Sequence, residues 1–171
     1  GSLTVHTWDT ETGKDAVSVD LKANLGLSGK LALSPDGTRV AVLAERPKDG
    51  TTAYRLTQFD CMTGKPTGTM DLPVEGYASD SVLNFDTAGR QVVVGLKGSV
   101  VVCDFQRGTA RLLARADGVA ADLAFSTEGN RVAVVGQKAV RVIDPATGKD
   151  AVPLPVAESP AWATIYDDHL K

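Results

Sequence analysis

One hairpin is written three times in this chain, as LALSPDGTRVAVLAE (31–45), VLNFDTAGRQVVVGL (82–96) and LAFSTEGNRVAVVGQ (123–137). Its turn glycines, Gly37, Gly89 and Gly129, lie 52 and 40 positions apart. A second motif interleaves with it: LTVHTWDTETGK (3–14), YRLTQFDCMTGK (54–65), VVVCDFQRGTA (100–110) and AVRVIDPATGK (139–149). Here an apolar run closes on Asp9, Asp60, Asp104 or Asp144, and a glycine follows four residues later. Repetition at 40 to 52 residues marks a unit that buries its apolar face only against another copy of itself. Few folds satisfy that condition.

The units are built of strands. Arg39–Val42, Gln91–Val94 and Arg131–Val134 are short, valine-rich runs bounded by glycine and aspartate, the pattern of half-buried strands between tight turns. Asp-Gly, Ala-Gly and Glu-Gly supply the positive-φ residue such turns require, and no helical periodicity runs to any length. Four strands fit each unit: 29–34, 39–45, 54–60 and 66–72; then 80–86, 90–96, 99–105 and 109–114; then 120–126, 130–136, 139–144 and 150–154. Residues 3–9 and 16–22 read as the last two strands of a preceding unit, and 163–166 as the first strand of a following one. The fold class is all-β.

Four-stranded antiparallel units of this length, stacked radially, make a β-propeller. The sequence resembles the WD-repeat and YVTN-type propellers. LSPDGTRVAV is similar to the hairpin of their first two strands, Trp8-Asp9 is a complete WD dipeptide, and VRVIDPATGK is close to the YVTN-type repeat. Phe59-Asp60, Cys103-Asp104 and Ile143-Asp144 fill the WD slot with other apolar residues. The Gly-His pair of orthodox WD repeats is absent, and Lys97 and Gln137 stand where those repeats carry aspartate. The resemblance therefore implies blades held by valine, leucine and alanine packing, without a His–Asp network. It implies a single partial propeller over 1–171, a fragment or half-ring. Whole blades are expected near 29–73, 80–115 and 120–155, with partial blades at 3–22 and 161–171. Gly1-Ser2 has the form of a scar left by tag removal.

Composition narrows the function classes. A formal charge of −3, with lysine and arginine scattered singly, argues against nucleic acid as a partner. No apolar run reaches membrane-spanning length, and no charged-then-apolar leader opens the sequence. Two cysteines, Cys61 and Cys103, are too few for a disulfide framework or a cysteine-rich metal site, and are expected to be packed thiols. Asp167, Asp168 and His169 would need metal ligands from elsewhere, and read as a solvated turn. The Thr-Gly-Lys triplets at 12–14, 63–65 and 147–149 lack the phosphate-loop frame. Ser34 and Ser126 lack a nucleophile elbow, and the strand-closing aspartates read as caps of their own turns. No catalytic residue, metal or cofactor is expected.

One segment breaks the repeat. The connection RPKDGTTA (46–53) has eight residues where its counterparts KG and QK have two. Extra length on one face of a repeat array is where binding function is added, although neutral drift gives the same signal. The expected role is thus a non-catalytic scaffold for a protein or peptide. Arg46, Lys48, Asp49 and Glu75 would be rim polar contacts and Tyr77 an aromatic anchor. The alternative is a YVTN- or quinoprotein-like enzyme with a metal or cofactor in the central channel, for which Asp80, Asp122 and Glu158 are sparse candidates. The isolated chain is expected to close as a head-to-tail homodimer, or with the missing blades of a larger ring. A compact four-bladed monomer competes.

Overall fold

The computed structural model describes residues 3–21, 30–75, 81–115, 120, 122–136 and 139–152, and every regular element among them is a β-strand. β1 (Leu3–Trp8) and β2 (Asp15–Leu21) form a two-stranded sheet. The first four-stranded sheet holds β3 (Lys30–Leu33), β4 (Arg39–Lys48), β5 (Thr51–Asp60) and β6 (Pro66–Glu75). The second holds β7 (Val82–Phe85), β8 (Gln91–Leu96), β9 (Ser99–Asp104) and β10 (Thr109–Arg115). The third holds β11 (Asp122–Phe125), β12 (Val132–Val135), β13 (Val140–Ile143) and β14 (Asp150–Val152). Each is an antiparallel meander in sequence order.

Alternation along the valine runs decides how the sheets stack. In β8 and β9, Val92, Val94, Leu96, Val101 and Cys103 point to one face and pack with Ala41, Leu43, Tyr54 and Leu56 of the first sheet. Val93, Val100 and Val102 point to the other face and pack with Leu123, Val132, Val134 and Ile143 of the third. A strand buried on both faces reads as a continuous apolar run rather than an alternating one, which is why QVVVG and SVVVC carry no polar residue mid-strand. The inner strands line up across sheets, with Asn84 donating to the Leu123 carbonyl (3.3 Å) and Thr87 to the Thr127 carbonyl (2.7 Å).

The turn between the first two strands repeats with the sequence. Ser34, Asp86 and Ser126 each donate N–H across it, to the carbonyls of Arg39, Gln91 and Arg131 at 2.8, 2.9 and 3.0 Å. Their side chains accept in return, Ser34 Oγ from Arg39 N (2.9 Å), Asp86 Oδ1 from Gln91 N (3.0 Å) and Ser126 Oγ from Arg131 N (3.1 Å).

The connection at 46–53 corrects the expectation of a long loop. β4 runs on to Lys48 and β5 begins at Thr51, with Arg46 opposite Ala53, Pro47 opposite Thr52 and Lys48 opposite Thr51. The turn is two residues, Asp49 (φ 46°) and Gly50 (φ 80°), the doubly positive pair of a hairpin that matches strand twist. Its cause is register. Once Val40, Val42 and Leu43 fix the pairing, each further residue satisfies its backbone groups by continuing the ladder, and Asp-Gly closes it.

Among the described residues, Trp8, Leu31 and Leu33 are apolar side chains left exposed. Trp8 is 59% exposed, although Phe59, Cys103 and Ile143, its counterparts before the closing aspartate, are buried. Leu31 and Leu33 are 49% and 45% exposed, whereas Leu123 and Phe85 in the same slots are 3% and 4%. Leu31 and Leu33 sit opposite Val42 and Val40, on the face where Val5 of the two-stranded sheet packs. A sheet of two strands covers only the outer part of that face.

Candidate functional site

Antiparallel meanders place their turns at two ends, and each end gathers a different set of residues. At one end the first sheet projects. β4, β5 and β6 are each 10 residues long, whereas β8 and β9 have 6. The projection brings together four of the five rim residues expected from sequence. Arg46 lies across from Ala53, which lies across from Glu75; Lys48 pairs with Thr51 beside the Asp49 turn. Thr51 Oγ1 donates to Glu75 Oε2 at 3.3 Å. Arg46, Asp49 and Glu75 are exposed. Tyr77 lies outside the described residues, as do Asp80, Glu158 and the Asp167–His169 turn. Asp122 sits at the start of β11 and accepts from the N–H of Leu123 (2.8 Å).

At the opposite end the strand-closing aspartates cap their turns. Asp9 Oδ1 accepts from the N–H groups of Glu11 (3.0 Å) and Thr12 (2.7 Å) and from Thr12 Oγ1 (2.9 Å). Asp60 repeats this with Met62 (3.0 Å) and Thr63 (2.8 and 2.9 Å). Asp104 accepts from Arg107 N (2.9 Å) and Asp144 from Ala146 N (2.7 Å). Hydrogen bonds to the ionised form hold Asp9, Asp60 and Asp144 below the usual carboxylate range. The Ser34 hydroxyl, then the N–H and hydroxyl of Thr38, bring Asp36 down to about 2. Carboxylates held ionised by their own turns are not poised as general acids.

A groove of about 460 Å³ opens at this end between the second and third sheets. Its walls include Gln91, Asp104, Arg107 and Arg111 from one sheet and Asn130, Arg131 and Asp144 from the other. Arg111 Nη2 donates to the carbonyls of Pro145 and Ala146, tying β10 to the third sheet. Sequence reasoning missed this site, because its walls are turn residues some 40 positions apart that carry no motif. The available signal was a comparison of the repeats position by position: Arg39 aligns with Gln91, and Phe105 with Pro145.

Among the described residues, no group of three His, Cys, Asp or Glu side chains could hold a metal ion, and no helix is long and apolar enough to cross a membrane. Cys61 and Cys103 are free and buried. Burial pushes the Cys103 thiol up to about 12 and raises Cys61 as well, which suppresses the reactive thiolate. Iodoacetamide at pH 8 should therefore leave Cys103 unmodified in the folded protein and alkylate both cysteines in guanidinium. Intact-mass spectrometry reads the result, and a Cys103 adduct on folded protein would contradict its place between two sheets.

No family profile matches the sequence, and no curated protein matches it significantly. Solved structures do. TolB from Acinetobacter baumannii superposes with a TM-score of 0.54 and 21% identity, over 92% of this chain and 39% of that one. Kuenenia stuttgartiensis hydrazine synthase superposes with a TM-score of 0.57 and 17% identity, over 85% of this chain and 53% of that one. The chain thus spans roughly two fifths to half the length of these proteins. At such identities the likeness is one of fold: the stacked four-stranded meanders are blades of a β-propeller.

Proposed function

We propose that this chain is a non-catalytic propeller module that displays a binding edge to a protein or peptide, in the manner of the WD-repeat and YVTN-type propellers its motifs resemble. One observation carries the reading. A single blade extends all three of its outer strands beyond its neighbour, and the extension presents Arg46, Asp49 and Glu75 to solvent. A paired, three-stranded projection holds its side chains in place at little ordering cost, and such preorganisation favours binding. The strands fix the edge, and the edge makes the contact.

Arg46→Ala with Lys48→Ala should leave the melting temperature within about a degree, since substitutions in a polar strand end away from the core change stability by roughly 0.5 kcal/mol or less. The same pair should weaken capture of a partner from a lysate of the source organism, with captured proteins identified by mass spectrometry. Identical capture by both forms would remove the projection from the function.

We also infer that the uncovered surfaces at Trp8 and at Leu31 and Leu33 are joints between chains. The occupant proposed is a second copy placed head to tail; further blades of a longer parent would fill the same surfaces.

A further inference from the structure

The groove between the second and third blades is a departure from a joint that the same protein closes elsewhere. Between the first and second blades, Arg39 reaches under the neighbouring turn, its Nη2 lying 2.9 Å from where a Cβ on Gly89 would sit. The Phe105 ring fills the outer part of that joint, 2.8 Å from a Cβ placed on Gly68. One blade further on, Gln91 stands in the place of Arg39 and Pro145 in that of Phe105. Gln91 turns inward and donates to Asp104 Oδ2 (3.4 Å), and a Cβ on Gly129 would meet nothing nearer than Asp86 at 4.0 Å. Two shortened side chains thus leave the cavity of about 460 Å³, within the range of small-ligand sites.

Its lining has a donor surplus. Three arginines, Arg107, Arg111 and Arg131, line it against two aspartates, Asp104 and Asp144. Both carboxylates accept hydrogen bonds from their own turns. Of the arginines, Arg111 bonds two carbonyls through one nitrogen and Arg131 Nη1 bonds the Asn130 carbonyl (2.6 Å). Arg107 stands 3.9 Å from Asp104. A guanidinium has five N–H donors in a fork that matches a carboxylate, and these three arginines spend only a few of theirs on the partners above.

We propose that this groove binds carboxylate side chains of an acidic peptide segment, as a site separate from the projecting edge at the other end of the blades. The probe is N-acetyl-Glu-Glu-amide, titrated into the full chain labelled with 15N, with N-acetyl-Gln-Gln-amide and inorganic phosphate as comparisons. The acidic peptide should shift the amide signals of Arg107, Gly129, Asn130 and Arg131 and leave those of Asp49 and Gly50 in place. Arg107→Ala with Arg131→Ala, which removes two of the three guanidiniums, should weaken this binding at least about fivefold with an unchanged melting temperature. If that variant fails to fold, Arg107→Ala alone carries the same expectation, its side chain being mostly exposed. Silent groove amides, equal shifts from the glutamine peptide, binding of phosphate alone, or undiminished binding by the variants would each overturn the proposal.

Discussion

Val93→Asp is expected to yield a chain that no longer melts cooperatively. Val93 is fully buried in β8 and packs among Val100, Val102 and Leu123 where the second blade meets the third. No described cation stands in that cluster, so a carboxylate there must be buried unpaired or protonated. Either state costs several kcal/mol, against a domain stability of about 5–15 kcal/mol. A blade that loses its neighbour also loses the contact that makes it stable, so the damage spreads along the stack. Met62→Asp, in an exposed turn, is the matched control and should shift the thermal midpoint only slightly. Circular dichroism on heating decides the matter. A soluble Val93→Asp protein with a sharp transition would show that β8 does not lie between two blades.

The strands were legible because two independent signals agree at each of them. Valine-rich runs set the period, and glycine at a fixed offset sets the turn, so VAVLAE, VVVGL and VAVV all emerge as second strands of their blades. The projection carries a loop-like composition for an equally physical reason. Arg46-Pro47-Lys48-Asp49-Gly50 has the composition of a connection, and nothing apolar advertises a ladder there. Pairing that starts in the core continues outward through polar residues because the backbone gains by it, so composition understated the strand by three residues on each side of the turn. Arg46, Lys48, Asp49 and Glu75 all lie on that projection. The groove was hidden more deeply: it arises from what Gln91 and Pro145 fail to fill, and a missing contact has no motif.

The second large effect concerns assembly. Size-exclusion chromatography with light scattering at micromolar concentration should report twice the 17.9 kDa chain mass. β1 and β2 pair only with each other among the described residues. Val5 covers part of the first blade's outer face, and two more strands would be needed over Leu31 and Leu33. Trp8 alternates with Val5 along β1, so it points away from the first blade. The two surfaces therefore lie on opposite sides of one incomplete blade, and a head-to-tail neighbour meets both. Burying a leucine fully contributes about 1.5–3 kcal/mol, and a two-chain ring repeats each joint twice. Because such a ring closes on itself, growth stops at two copies instead of continuing as a filament. Leu31→Glu with Leu33→Glu should return the mass to one chain while preserving the β-sheet spectrum, since both side chains are about half exposed within the single chain. Met62→Asp, remote from that face, should leave the dimer intact. A wild-type protein that elutes as a monodisperse species at one chain mass would end the two-chain ring and favour a compact single-chain closure.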